Sequence, residues 1–305
     1  MGAWEEETAI RFAGISQRKP NFKLGPITLD IPKGYITAIV GPNGSGKSTL
    51  FRMALDLEKP SEGTVTLLGE PVGQGDDVEV KQKIGFLPEE TLPHEDKLTA
   101  REKANFNSFW YKDWDVNRYQ DLLLSLQVND NLQLGKMSKG MRRKCEFALA
   151  LSHAPELLLL DEPSSGLDPL AWKTMIEILH RYMEPGNRTI LMTSHIVEEV
   201  KRLADFIVFM AQGRVLGVYE KDELFSSWFT FFVSGDGLTA QKAASMPGGS
   251  GVEPAGNATY RITTGKAFEA EQWCEANGLQ IVGRQALELD EIMSTLLQQE
   301  SIGRR

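Results

Sequence analysis

A chain of 305 residues, 41% hydrophobic and 25% charged, is long enough for one large domain plus a smaller one and too apolar for wholesale disorder. Its formal net charge of -9 argues against a general affinity for nucleic acid or anionic lipid and leaves room only for local basic patches. No apolar run approaches bilayer length, since LLLL at 157–160 and FIVFM at 206–210 are the size of strands. The start, MGAWEEETAI, is acidic where a secretory signal is basic and then apolar, and Glu6 stands where a myristoylation pattern needs Ser or Thr. Cys145 and Cys274 form no pair-spaced motif and read as reduced core residues. Any membrane role is therefore expected to come through a partner.

Residues 8–40 alternate as strands do, in AIRFAGI, FKLGPITLDI and YITAIV. A helical pattern follows at 47–57, then a short strand pair around GTVTLLG and a strand at KIGFLP. From about 98 to 153 the chain reads as mainly helical, with an aromatic cluster in NFNSFWYKDWDVNRY. Buried-strand patterns return at ELLLLD (156–161), TILMTS (189–194) and FIVFM, each preceded by a helical stretch. Strands alternating with helices predict an α/β class built on a parallel sheet. After residue 226 the tract SGDGLTAQKAASMPGGSGVEPAGN has weak periodicity, between strands at WFTFFVS and TYRITT. A helix (AFEAEQWCEANG), a strand (LQIVGR) and a last helix (LELDEIMSTLLQQ) follow. The expected organisation is a large domain over 1–226 and a small α+β domain over 227–305.

GPNGSGKST, residues 41–49, fits G-x-x-x-x-G-K-[ST] between a β-branched strand and a helix. Gly41, Pro42, Asn43, Gly44, Ser45 and Gly46 would wrap main-chain N–H groups around phosphate, and Lys47, Ser48 and Thr49 would open the helix. Lys47 is expected to reach the β and γ phosphates, and the Ser48 hydroxyl to ligate Mg2+. A ligand-free glycine turn is the alternative, but a chance match with both flanks correct is rare.

LLLLDEP is a buried strand ending in two carboxylates. Asp161 is suited to hold Mg2+ through water. Glu162, pointing elsewhere, is suited to act as general base for an attacking water. In isolation an acidic turn would be the better reading; beside a phosphate loop it becomes the lesser one. His195, in TSHI, lies just past another strand end. A lone histidine there is more often structural, yet in a parallel nucleotide-binding sheet that edge is where ligands sit. His195 is thus a candidate γ-phosphate sensor.

In order, GPNGSGKST, IGFLPEE, MSKGMRRK, LLLLDEPSSGLDP and TSHIVEEV resemble the ATP-binding cassette (ABC) ATPases over roughly residues 8–225. The resemblance implies a phosphate-loop fold with a helical and an antiparallel β subdomain. It implies ATP and Mg2+ as ligands, and two cassettes facing head to tail with each ATP clamped between one phosphate loop and the other's signature. MSKGM takes the place of that signature: Ser138 and Gly140 match, while Lys139 replaces a glycine and Met141 a glutamine. Arg142, Arg143 and Lys144 are expected to form an exposed basic helix face, and Lys139 to add charge near the nucleotide or point to solvent.

SGLD (165–168) matches the family's D-loop, with a polar turn as the alternative. Glu89 stands where the family has a glutamine near Mg2+, a place a carboxylate also suits, with an ordinary exposed acidic pair, Glu89–Glu90, as the equal alternative. The adenine-stacking aromatic is replaced by Lys19; Phe22 is equally well placed to substitute or to fill the strand's inner face. The aromatics of NFNSFWYKDW fall where the family grips its permease, and half of them suit a subdomain core equally well.

The expected function is the ATPase subunit of a transporter, partnered by a second ABC ATPase subunit, identical or similar, and by a polytopic membrane permease, with no nucleic acid. It would lie on the inner, cytoplasmic face of the membrane through that permease. The ending ALELDEIMSTL resembles the tails of bacterial export ATPases. A soluble ABC-type regulatory ATPase is the alternative, although such proteins usually carry two cassettes or long coiled-coil insertions. A phosphate-loop GTPase or kinase would leave the signature and His195 unexplained and lacks an evident Asn-Lys-x-Asp.

Overall fold

A computed structural model describes residues 8–20, 22–73, 75, 77–256 and 258–302. The acidic start with Glu6 lies outside these residues. The chain divides into two compact units, Met1–Val215 and Leu216–Arg305.

In chain order the first unit comprises β1 (Thr8–Lys19), β2 (Phe22–Pro32), β3 (Ile36–Val40), α1 (Lys47–Ala54), β4 (Glu62–Leu67) and β5 (Glu70–Pro71). Then come α2 (Val78–Lys81), β6 (Ile84–Leu87), α3 (Ala100–Trp110), α4 (Val116–Leu126), α5 (Lys139–Leu151) and β7 (Leu157–Asp161). The series continues through α6 (Pro169–Met183), β8 (Thr189–Thr193), α7 (Val197–Leu203) and β9 (Phe206–Ala211), and the chain passes into the second unit within β10 (Arg214–Glu220).

Every residue of β3, β7 and β8 is buried, and their near-continuous apolar sequences are those of strands covered on both faces. They form the centre of a six-stranded sheet ordered β10-β9-β3-β8-β7-β6. β3 pairs in parallel with β8 and β9, and β7 in parallel with β8 and β6. Parallel pairing has one decisive consequence: the carboxyl ends of β3, β6, β7 and β8 emerge along one edge. The phosphate loop, Glu89, Asp161–Glu162 and His195 follow those four ends.

A second, antiparallel sheet, β2-β1-β4-β5, shares a core with α1 and the parallel sheet, in which Phe12, Ile15, Leu24, Phe51, Leu159 and Met210 meet. The helical stretch is bounded by well-formed caps. Thr99 and Glu102 make a reciprocal capping box at α3, and Asp115 accepts from Asn117 and Arg118 at α4. The aromatic cluster divides. Tyr119 is buried, whereas Phe106, Phe109 and Trp110 stand 61%, 88% and 60% exposed. Cys145 lies wholly in the core, where burial pushes its thiol up to about 12.

The second unit continues with α8 (Lys221–Ser227), β11 (Phe229–Ser234), α9 (Ala240–Ala243), β12 (Gly249–Gly256), β13 (Thr259–Thr264), α10 (Ala267–Ala276), β14 (Gln280–Ala286) and α11 (Leu289–Ile302). Its sheet, ordered β12-β13-β11-β14, is antiparallel throughout, so β11 to β14 and their two helices form interleaved split β-α-β units. Phe231, Val233, Ile262, Ala270 and Cys274 fill its core. β12 runs through the tract whose sequence shows weak periodicity. Its register shifts at Gly251, which sits at φ +67, and that irregularity erases the alternation a strand pattern needs. No helix among the described residues is long and apolar enough to cross a membrane.

Candidate functional site

Val40 leads from β3 into the glycine loop, whose glycines are required by space as well as torsion. A Cβ on Gly41 would lie 2.0 Å from the Met210 carbonyl oxygen. Gly46, at φ +106, would press one against Leu24, Met210 and Phe22. Gly46 is the N-cap of α1 and offers no side-chain cap, so the first N–H groups of the helix are left for an anion. Lys47 is buried and donates from Nζ to the Gly41 carbonyl at 2.8 Å, folding the loop around its own ammonium. The Ser45 Oγ is buried without a partner among the described residues, an orphan hydroxyl in the wall of the cradle. A phosphate group fits this set: glycine-lined backbone, one ammonium and an unpaired donor.

At the end of β7 the two carboxylates diverge. Asp161 Oδ1 accepts from Thr193 Oγ1 at 2.6 Å. The same hydroxyl accepts from the Glu162 main-chain N–H at 3.0 Å. Glu162 itself adopts φ +49, a left-handed conformation uncommon for a non-glycine residue, and this turns its side chain away from that of Asp161. Its Oε2 lies 2.7 Å from Nδ1 of His195. Ser194, beside that histidine, donates to Glu199 at 2.7 Å, and burial raises the Glu199 carboxyl above the usual range.

A cleft of about 590 Å³ opens here, lined by Phe22, residues 43–49, Glu89, Glu162 and His195. The structure thus brings together all the expected phosphate-loop side chains from Asn43 to Thr49 with both expected catalytic residues. Asp161 is buried and is not among the residues lining the cleft. Phe22 reaches the loop beside Gly46, whereas Lys19 is engaged with Glu58 at 2.6 Å. No group of three or more His, Cys, Asp or Glu side chains able to hold a metal occurs among the described residues. The cleft does place a hydroxyl, Ser48, and a carboxylate, Glu89, beside the phosphate loop, donor types that suit Mg2+ shared with a substrate phosphate.

Ser138 and Gly140 are elsewhere, at the start of α5. Ser138 is exposed and caps the helix, accepting from the Met141 N–H at 3.2 Å. A Cβ on Gly140 would lie 2.6 Å from the Gly166 carbonyl oxygen. Lys139 donates to Ser165 Oγ at 2.8 Å instead of pointing free into solvent. Asp168 caps α6, accepting from Leu170 and Ala171.

The basic run after the signature departs from expectation. Arg142 and Arg143 are buried, 6% and 3% exposed, and do not form a solvated face. Arg142 pairs with Glu146 and Asp96 and donates to the Leu92 carbonyl. Arg143 donates to the carbonyls of Pro88, Asp161, Glu162 and Pro163. Arg143 is met by main-chain oxygens that need donors, and Arg142 by carboxylates together with one main-chain oxygen. Sequence reasoning also missed Thr193 and Glu199; a hydroxyl closing an otherwise apolar strand was the only trace of the first.

A glycine loop running from a parallel strand into a helix, opposite a strand-end Asp-Glu pair, defines a phosphate-loop nucleotide hydrolase. The ABC transporter family model matches residues 24–165. An ABC transporter ATP-binding protein of Synechocystis sp. is 36% identical over 220 residues, 70% of this chain and 60% of that protein's length. The Nod factor export ATP-binding protein I of Rhizobium sp. is 33% identical over 219 residues, 69% of this chain and 70% of that one. Among solved structures, an ATP-binding subunit of an ABC transporter superposes with a TM-score of 0.65 at 25% identity, covering 72% of this chain and 92% of the other. The chain belongs to the ABC transporter ATP-binding proteins, whose activity is ATP hydrolysis.

Proposed function

We propose that this chain is the ATP-hydrolysing subunit of a membrane exporter, closing head to tail on a second cassette, identical or similar, and driving a separate polytopic permease. The observation that carries the reading is the Glu162–His195 contact facing the phosphate loop across one cleft. The glycine loop and Lys47 hold the phosphates. Ser48, Glu89 and, through water, Asp161 would hold Mg2+, which would supply neutralisation of phosphate charge. The Glu162 carboxylate takes a proton from water as that water's oxygen bonds to the γ phosphorus. The bond to the β,γ-bridging oxygen breaks, and ADP and inorganic phosphate leave. His195 orients Glu162 and meets the γ-phosphate.

Ser138 stands outside this cleft, so its role requires a partner: from the first turn of α5 it donates to the γ-phosphate on the second cassette, beside the Gly140 N–H. The relative named for Nod factor export supports the transport direction. Exposed Phe106, Phe109 and Trp110 on α3 support a permease contact, which would place the chain peripherally on the cytoplasmic face of the membrane. Residues 227–305 act as an accessory domain to the cassette over 1–226.

The test is gel filtration of the Glu162→Gln variant with ATP and Mg2+, together with affinity capture from membranes. An ATP-dependent dimer and a co-purifying polytopic protein are expected. A monomer under all conditions, or capture of ribosomes without a membrane protein, would overturn the reading.

A further inference from the structure

Arg143 lies on α5, five residues beyond the helix cap Ser138, and its guanidinium reaches main chain on two other segments. Nε donates to the Pro163 carbonyl at 3.1 Å. Nη2 donates to the Glu162 carbonyl at 2.5 Å and to the Asp161 carbonyl. Nη1 donates to the carbonyl of Pro88, the residue before Glu89. The acceptors are therefore the main chain of three successive residues at the acidic corner and of the loop leading to Glu89. Burial lowers the pKa of the guanidinium, and the carboxylates of Glu146, Asp161, Glu89 and Glu162 oppose that effect.

Carbonyl acceptors fix where a backbone runs. The corner they fix is the one where Glu162 holds φ +49, a conformation that persists only when its surroundings impose it. Thr193 holds that corner from one side through the Glu162 N–H, and Arg143 holds it from the other through the Glu162 carbonyl. Arg142 extends in a different direction, to Leu92 and Asp96, and pins α5 to the segment that follows Glu89. A lysine has one point charge and cannot reproduce a planar fork with donors on several sides.

We infer that Arg143 is a positioning residue that sets Glu162 and the Glu89 loop in one frame with α5. Ser138 starts the same helix, so the signature's grip on the partner's nucleotide and the carboxylates around this chain's own nucleotide move together. The inference rests on the proposed ATPase reading. It adds a residue that does not itself line the cleft.

The test uses the full chain with ATP and Mg2+ and compares Arg143→Met, Arg143→Lys and Glu162→Gln, alone and combined. Turnover and KM are read by phosphate release, and affinity by a fluorescent ATP analogue. Arg143→Met is expected to lower kcat about a hundredfold, the scale of a 1 Å misplacement, with analogue affinity within about twofold. Arg143→Lys is expected to remain at least about tenfold down in kcat. Added to Glu162→Gln, Arg143→Met is expected to cost less than about threefold more, because the residue it positions is already disabled.

A kcat within about threefold of the parent in either single variant overturns the inference. So does an equal loss in both backgrounds, or an affinity loss that tracks kcat. If Arg143→Met does not fold, Arg143→Lys decides by the same thresholds. If Glu162→Gln itself turns over normally, the proposed base is wrong; if it is inactive while the Arg143 variants are active, only the role of Arg143 falls.

Discussion

Nδ1 of His195 lies 2.7 Å from Oε2 of Glu162, yet the carboxylate side chain is 8% exposed and the imidazole 64%. The pair is asymmetric: one member is set in the protein wall and the other faces the cleft. Glu162→Gln is therefore expected to slow hydrolysis by about 10²–10⁴-fold, the range for loss of a general base, while ATP affinity is retained. His195→Ala is expected to cost less, since Glu162 keeps its main-chain anchors. Single-turnover hydrolysis of bound ATP checks both, and a Glu162→Gln enzyme with unchanged turnover would remove that residue as the base.

Thr193 joins the two carboxylates by donating to Asp161 Oδ1 and accepting from the Glu162 N–H. Thr193→Val keeps the shape and removes both bonds, leaving a buried N–H without its partner. The expected loss is about 2 kcal/mol of stability, accompanied by a higher Mg2+ concentration for half-maximal hydrolysis. Urea unfolding midpoints and Mg2+ titration of activity measure the two effects. A variant that loses stability but keeps its Mg2+ dependence would confine Thr193 to a structural role.

Phe22 lines the cleft beside Gly46, and Lys19 is tied to Glu58. A base stacked on an aromatic ring contributes about 1–3 kcal/mol. Phe22→Ala is accordingly expected to weaken ATP binding roughly tenfold, and Lys19→Ala to leave it unchanged. Titration with ATP and with triphosphate lacking a base separates the cases. Equal losses for both ligands would show that Phe22 supports the loop and does not hold adenine.

The parts of the site legible in the sequence were those whose chemistry is local. β3, β7 and β8 are covered on both faces, so their residues read as unbroken apolar runs, and the phosphate loop follows β3 directly. Glu162 and His195 could be named singly, but their contact crosses from β7 to β8 and depends on register. The burial of Arg142 and Arg143 was not legible. A basic run at a helix start reads as solvated, and the carbonyl that receives Arg142 at Leu92 is 50 residues away. β12 was hidden for a different reason, the shift of register at Gly251.

His153 provides a pH-dependent test of the core. It is buried, stacked on Tyr111 at 3.8 Å between ring centroids, with Nε2 3.0 Å from the Ile84 carbonyl. That contact assigns the proton to Nε2 and leaves Nδ1 buried without a partner among the described residues, so a second proton would have no acceptor. Burial lowers the histidine from 6.5 to about 4. Between those values the unfolded chain binds a proton that the folded chain refuses, so acid favours unfolding. Stability from this group is complete above pH 6.5 and falls as pH drops towards 4, by about 3 kcal/mol over the whole window. His153→Gln keeps a donor near Ile84 without titrating. Its urea midpoint is expected to start lower at pH 7.5 and decline less steeply below pH 6.5 than that of the parent. Parallel curves for the two proteins would assign the acid sensitivity to other groups.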